Sequence, residues 1–137
     1  MNKIEWTDDL SIGIDLIDDQ HKTWIEHYNR AVEAINAQHE VAQISRSLEF
    51  LSDYTETHFS TEEQAMVESA YPGLDEHKAK HKALRTILTD MTEEFIEDGA
   101  TDRLAQSVET LLGNWLIKHI KEVDMRFASF SRESDNQ

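Results

Sequence analysis

Apolar residues recur along this chain at steps of three and four, the spacing of one face of an α-helix, in four stretches. Trp24, Ile25, Tyr28, Val32 and Ile35 mark the first, from roughly Asp19 to Ala37. Ile44, Leu48, Leu51 and Thr55 mark the second, which runs on through Ala65 and Met66 to a break at Tyr71-Pro72-Gly73. Leu84, Leu88, Met91 and Phe95 mark the third, which stops before Gly99. Leu104, Val108, Leu111 and Trp115 mark the fourth, which continues to about Phe127, with Thr101 or Asp102 placed to cap its start. Connections this short favour antiparallel neighbours, so the pattern predicts an all-α, up-down-up-down four-helix bundle. One domain accounts for residues 1–137: an N-terminal arm over about 1–17, the bundle over about 18–128, and a short polar C-terminal tail. Ile4, Trp6, Leu10 and Ile12 could pack the arm along the bundle.

The polar positions matter more than the apolar ones, because histidines interrupt the buried stripes. The first stripe, traced back from Trp24 and Tyr28, begins at His21. The second runs from Leu51 and Thr55 onto His58 and Glu62. The third, followed backwards from Leu88 and Leu84, reaches His81 and His77, and the fourth reaches His119 after Trp115. Burying these groups without partners would cost ~1–3 kcal/mol each, against a domain stability of ~5–15 kcal/mol. A metal centre inside the bundle resolves the conflict.

Spacing supports that reading. His58 with Glu62, and His77 with His81, are one turn apart on a single helix face. A lone pair of this kind is weak evidence; four helices placing histidine on the apolar stripe together is strong evidence. His119 and Asp124 lie five residues apart, about 140° around an ideal helix. That offset suits a carboxylate approaching from another angle, or a local π-turn, a feature found at functional sites. His27 points to a different face from His21, and His39 lies in the first interhelical connection, so neither is expected to be a ligand.

Five imidazoles and two carboxylates without sulfur suit iron, manganese, copper or zinc. Seven ligands exceed one tetrahedral zinc. Two ions sharing the carboxylates as bridges accommodate them. With a bridging oxygen added, such a set fills about eleven of roughly twelve octahedral positions and leaves one open for a small molecule. An imidazole-rich shell also leans towards reversible binding over O–O cleavage.

Composition narrows the classes further. A formal charge of −15 argues against nucleic-acid and anionic-membrane partners, which need basic surfaces. With no cysteine, disulfides, thiolate metal sites and thiol catalysis are excluded. The N-terminal residues carry no signal-peptide core, and the apolar window Leu111 to Ile117 is far short of the ~20 residues of a membrane span, so a soluble cytoplasmic protein is expected. No second apolar face is evident, which points to a monomer.

Three segments resemble the hemerythrin family, in its single-domain bacterial form: Ile12 to Trp24 (IGIDLIDDQHKTW), His58 to His81 (HFSTEEQAMVESAYPGLDEHKAKH) and Trp115 to Asp124 (WLIKHIKEVD). The resemblance runs from about Trp6 to Phe127. It implies a four-helix bundle holding two iron ions joined by an oxo or hydroxo bridge. His77, His81 and His119 would bind one iron, His21 and His58 the other, and Glu62 and Asp124 would bridge them. Dioxygen would bind at the open position of the iron with two histidines. Trp115 and Leu116 resemble pocket-lining positions, with Met66, Trp24 and Ile120 as further candidates.

The function so implied is reversible oxygen binding for storage, delivery or sensing, rather than catalysis. A di-iron redox enzyme or sensor, working on peroxide or nitric oxide, is the competing class. An interaction module with a purely structural metal site is the third. With tails this short, no fused output domain is expected, so sensing would be read by a separate partner protein.

Overall fold

The computed structural model describes residues 3–135. Four long helices follow one another: α1 (Asp15–Asn36), α2 (Val41–Glu68), α3 (Leu74–Asp98) and α4 (102–135), with no strand among the described residues. Each helix packs against its neighbours in order and α4 closes the ring against α1, an antiparallel four-helix bundle. None of these helices is long and apolar enough to cross a membrane.

The arm before α1 is shorter than the sequence pattern implies, because α1 begins at Asp15. The buried Asp18 carboxylate holds the arm down. Its two oxygens accept from Ser11 Oγ at 2.6 Å and from the Ile12 backbone N–H at 2.9 Å. Further out, the Asn29 side chain pairs with both the N–H and the C=O of Ile4. These bonds satisfy extended backbone that has no strand to pair with, and they lay Leu10 and Ile12 into the bundle end.

Helix α4 departs from the expected register. Two of its turns, Val108–Gly113 and His119–Asp124, are π-helical. Each π-turn inserts a residue into the α-helical period. The buried stripe therefore passes through Leu104, Val108, Leu112, Leu116 and Ile120, while Leu111, expected on the stripe, is 56% exposed. The start matches one of the two expected caps: the Thr101 hydroxyl accepts from the Leu104 N–H at 3.0 Å. At the other end, the residues expected to form a polar tail continue as helix to Asp135. Buried Phe127 and Ala128 anchor them, and Phe130 meets the Tyr71 ring at 5.1 Å.

Gly113 explains how α4 sits so close to α1. A Cβ there would lie 2.5 Å from Tyr28 Oη, so the helices can approach only where the side chain is absent.

The core falls into two apolar clusters. The larger contains Trp24, Phe59, Leu84 and Leu116 and fills most of the bundle. The smaller gathers Leu10, Ile12, Ile17, Ile25, Met66, Ile120 and Phe127 at the end covered by the arm. Along α1, α2 and α4, the histidines and carboxylates fall between residues of these two clusters.

Candidate metal centre

All seven ionisable residues that the stripes put in the core converge there. Glu62, His77, His81, His119 and Asp124 form one group, and His21, His58, Glu62 and Asp124 form another; within each, the possible ligand atoms lie within 4.8 Å of one another. Every one of these residues is buried. Their helices fix the aim: His58 and Glu62 are one turn apart on α2, as are His77 and His81 on α3. The π-turn His119–Asp124 does the same for residues five apart, and His119 Nε2 lies 3.1 Å from Asp124 Oδ1.

The two carboxylates divide their oxygens between the groups. Glu62 Oε1 lies 2.6 Å from His77 Nε2 and 3.1 Å from His81 Nε2, whereas Oε2 faces His58 Nε2 at 3.6 Å. Asp124 Oδ1 lies 3.0 Å from His77 Nε2 and faces His119, whereas Oδ2 is 2.9 Å from His21 Nε2. All five imidazoles thus present the same nitrogen, Nε2. Of these approaches only that between His81 and Glu62 has hydrogen-bond geometry. Ten nitrogen and oxygen atoms of His21, His58, Glu62, His77, His119 and Asp124 are left without a hydrogen-bond partner in the interior. Lone pairs that converge without bonding one another, in a set of imidazoles and carboxylates, fit metal ions.

Electrostatics carry the same signature. Burial pushes His58 down to about 4 and keeps it neutral, as a ligand must be. Burial and the nearby Asp124 raise Glu62, but the close approaches of the His77 and His81 rings outweigh them, and its net shift is downward. Asp124 is buried yet held well below its usual range by His119, His21 and His77. Burial alone would lower His77; Asp124 and Glu62 reverse this and lift it to about 9. In the metal-free chain a protonated His77 therefore stands between two carboxylates, supplying positive charge where a cation would sit.

The hemerythrin HHE cation binding domain model matches residues 12–130. The chain belongs to the hemerythrin family. It is 32% identical over 137 residues to bacteriohemerythrin from Stenotrophomonas maltophilia, covering 100% of this chain and 87% of the relative. Over 112 residues it is 32% identical to hemerythrin from Themiste dyscrita, 82% of this chain and 80% of that one. A crystal structure of wild-type hemerythrin superposes with a TM-score of 0.81 at 27% identity, covering 93% of this chain and 97% of the other. The fold expected from the motifs is the fold of the hemerythrins.

Around this candidate centre lie residues that the stripes did not reveal. Gln20 Oε1 accepts from His58 Nδ1 at 2.9 Å, and Glu63 Oε2 accepts from His81 Nδ1 at 2.7 Å. A proton held on Nδ1 leaves Nε2 as the lone-pair donor. Gln20 adjoins His21 and Glu63 adjoins Glu62, but adjacency alone does not say which ring each would reach. Aromatic rings wall the site: Phe59 stacks on His81 at 3.7 Å, Trp24 lies 4.8 Å from His58, and Trp115 stacks on His119 at 4.3 Å. Of the expected pocket residues, Leu116 and Trp24 are fully buried in the larger cluster, and Met66 and Ile120 in the smaller. Trp115 is half-buried and covers His119, on the side with three histidines. His27 packs by Phe50 and Tyr54, and His39 is exposed in the first connection; neither joins the centre.

Proposed function

We propose that this chain is a non-haem di-iron protein that binds dioxygen reversibly, for storage, delivery or sensing in the cytoplasm, and that it acts as a monomer. His77, His81 and His119 would hold one iron, His21 and His58 the other, with Glu62 and Asp124 bridging. The observation that carries this reading is the divided aim of the carboxylates, each sending one oxygen to each group of histidines. A single ion would need no such division.

An iron pair with one open position supplies reversible electron donation to dioxygen. The residues determine where that position lies and what surrounds it. The group with two histidines has one neutral donor fewer, so the vacancy belongs there. Trp24 lies against His58, and its only N–H is engaged by Thr55 at 2.9 Å, so it offers the site an apolar surface. Together with Leu116 and Phe59 it keeps water from a site where protons would drive irreversible oxidation. Trp115, beside Leu116, completes the lining proposed for the oxygen pocket. Glu62 and Asp124, held ionised, balance the cationic metals without a side-chain acid or base in reserve.

The test combines metal analysis with optical spectra of anaerobically reduced protein. Two irons per chain are expected, with a nearly colourless reduced form and a band in air that vacuum removes. Rapid conversion to an oxidised form, with no reversible band, would refute oxygen carriage and favour redox chemistry.

A further inference from the structure

Apart from the centre, the chain has one strongly asymmetric feature. Seven of its 13 basic residues fall in 77–85 and 115–126, segments that carry only two acidic residues in a chain of net charge −15. These segments belong to α3 and α4 and hold three of the histidines of the centre. Between them runs a groove of about 330 Å³ bordered by Lys80, Lys118, Arg126 and Glu122, with Trp115 and His119 in its wall. Lys80 and Lys118 are exposed and make no ion pair among the described residues. Among the described residues Arg126 pairs with Glu76, at 3.7 Å.

The groove also reaches one edge of the centre, at His119. His119 is 3% exposed and His77 2%, whereas His21, His58, His81, Glu62 and Asp124 are all at 0%. The Trp115 ring lies against His119 nearly parallel, with 12° between the planes and 4.3 Å between centroids. His119 Nε2 in turn faces Asp124 Oδ1. A continuous path of conjugated rings thus leads from the groove into the centre.

We propose that a small anionic one-electron donor docks in this groove and re-reduces the oxidised centre through Trp115 and His119. The inference rests on the di-iron reading above. Transfer is outer-sphere: each donor loses one electron, no donor bond forms or breaks, and two donors convert two iron(III) ions to iron(II). Lys80, Lys118 and Arg126 supply the attraction. The groove is the size of a small-molecule site. At a Debye length of about 8 Å, the acidity of the distant helices is largely screened there.

Salt dependence tests this, because the net charge and the groove predict opposite signs. Oxidised holoprotein is mixed in a stopped-flow instrument with the propyl viologen sulfonate radical, an anion, or the methyl viologen radical, a cation. If the groove governs, the anion reacts more slowly as salt rises, and the redox-inert anion naphthalene-2,6-disulfonate slows it further. Lys80→Glu with Lys118→Glu should slow the anion about tenfold at an ionic strength of about 0.15 M, without weakening the oxygen band. Lys3→Glu with Arg30→Glu changes the net charge equally but lies elsewhere, and should leave the anion's rate within about twofold. An anion rate that rises with salt, or that falls equally in both double variants, would overturn the proposal. Missing iron or a missing oxygen band would instead overturn the functional reading beneath it.

Discussion

Replacing Gly113 by alanine tests whether the close approach of α4 to α1 depends on an absent side chain. The added Cβ would lie 2.5 Å from Tyr28 Oη and 3.2 Å from Cζ. Tyr28 is 1% exposed and its ring is rigid, so relieving the clash requires the ring or the helix to shift. Overpacking of this kind costs ~1–3 kcal/mol. Alanine returns up to ~1 kcal/mol through helix propensity, so a net loss of roughly 1–2 kcal/mol is expected, read as several degrees in Tm by calorimetry of the loaded protein. Tyr28→Phe removes the Oη contact and leaves a gap of 3.2 Å, tight by a few tenths of an ångström. The double variant Gly113→Ala, Tyr28→Phe should therefore recover most of the loss, with a coupling of at least ~1 kcal/mol in the cycle. A single Gly113→Ala variant as stable as the parent, or a loss that Tyr28→Phe fails to relieve, would refute this account of the contact.

Two further outcomes follow from the centre. Because His77 is raised from 6.5 to about 9, its stabilising charge in the metal-free chain is fully present below pH 6.5 and is lost as pH rises through 9, a change of roughly 3 kcal/mol. Denaturant unfolding of metal-free protein between pH 6 and 10 should show that decline and the loaded protein should not, while loading near pH 7 releases the His77 proton, measurable by calorimetry in buffers of different ionisation heat. Glu63→Gln replaces a charge-assisted bond to His81 with a neutral one; if ~1 kcal/mol of preference for the oxidised state is lost, the midpoint potential rises by roughly 40 mV, and an unchanged potential would reduce Glu63 to a structural contact.

The sequence revealed what depends on periodicity and concealed what depends on rotation. His21, His58, Glu62, His77 and His81 are legible because α1, α2 and α3 keep the α-helical period up to them. His119 and Asp124 are legible only as a mismatched pair, five apart, and the π-turn resolves the mismatch. The earlier π-turn left no comparable mark: Leu111 and Leu112 are the same residue side by side, so an inserted turn exchanges one for the other without altering composition. The early start of α1 depends on Asp18 capturing Ser11 and Ile12, a contact across a bend. Gln20 and Glu63 remained hidden because helical spacing fixes neither their rotamers nor their partners.

The neighbours Glu62 and Glu63 show how one helix separates two kinds of work. Adjacent residues on α2 are about 100° apart, so Glu62 lies in the interior at 0% exposure while Glu63 stays at the edge, with 20% of its side chain exposed. There Glu63 meets His81 on one side and lies 3.8 Å from Arg85 on the other. His58, in the group with two histidines, has the neutral Gln20 in the corresponding role. The environments of the two groups therefore differ in charge as well as in ligand count. In an iron pair held as proposed, extra carboxylate density would favour the oxidised state on the side of His77, His81 and His119, the side that also borders the groove. The apolar Trp24 and the uncharged Gln20 surround the other, where the proposed function requires an open position. In the proposed function, electrons and oxygen thus reach the pair from different sides, and the two bridging carboxylates couple them.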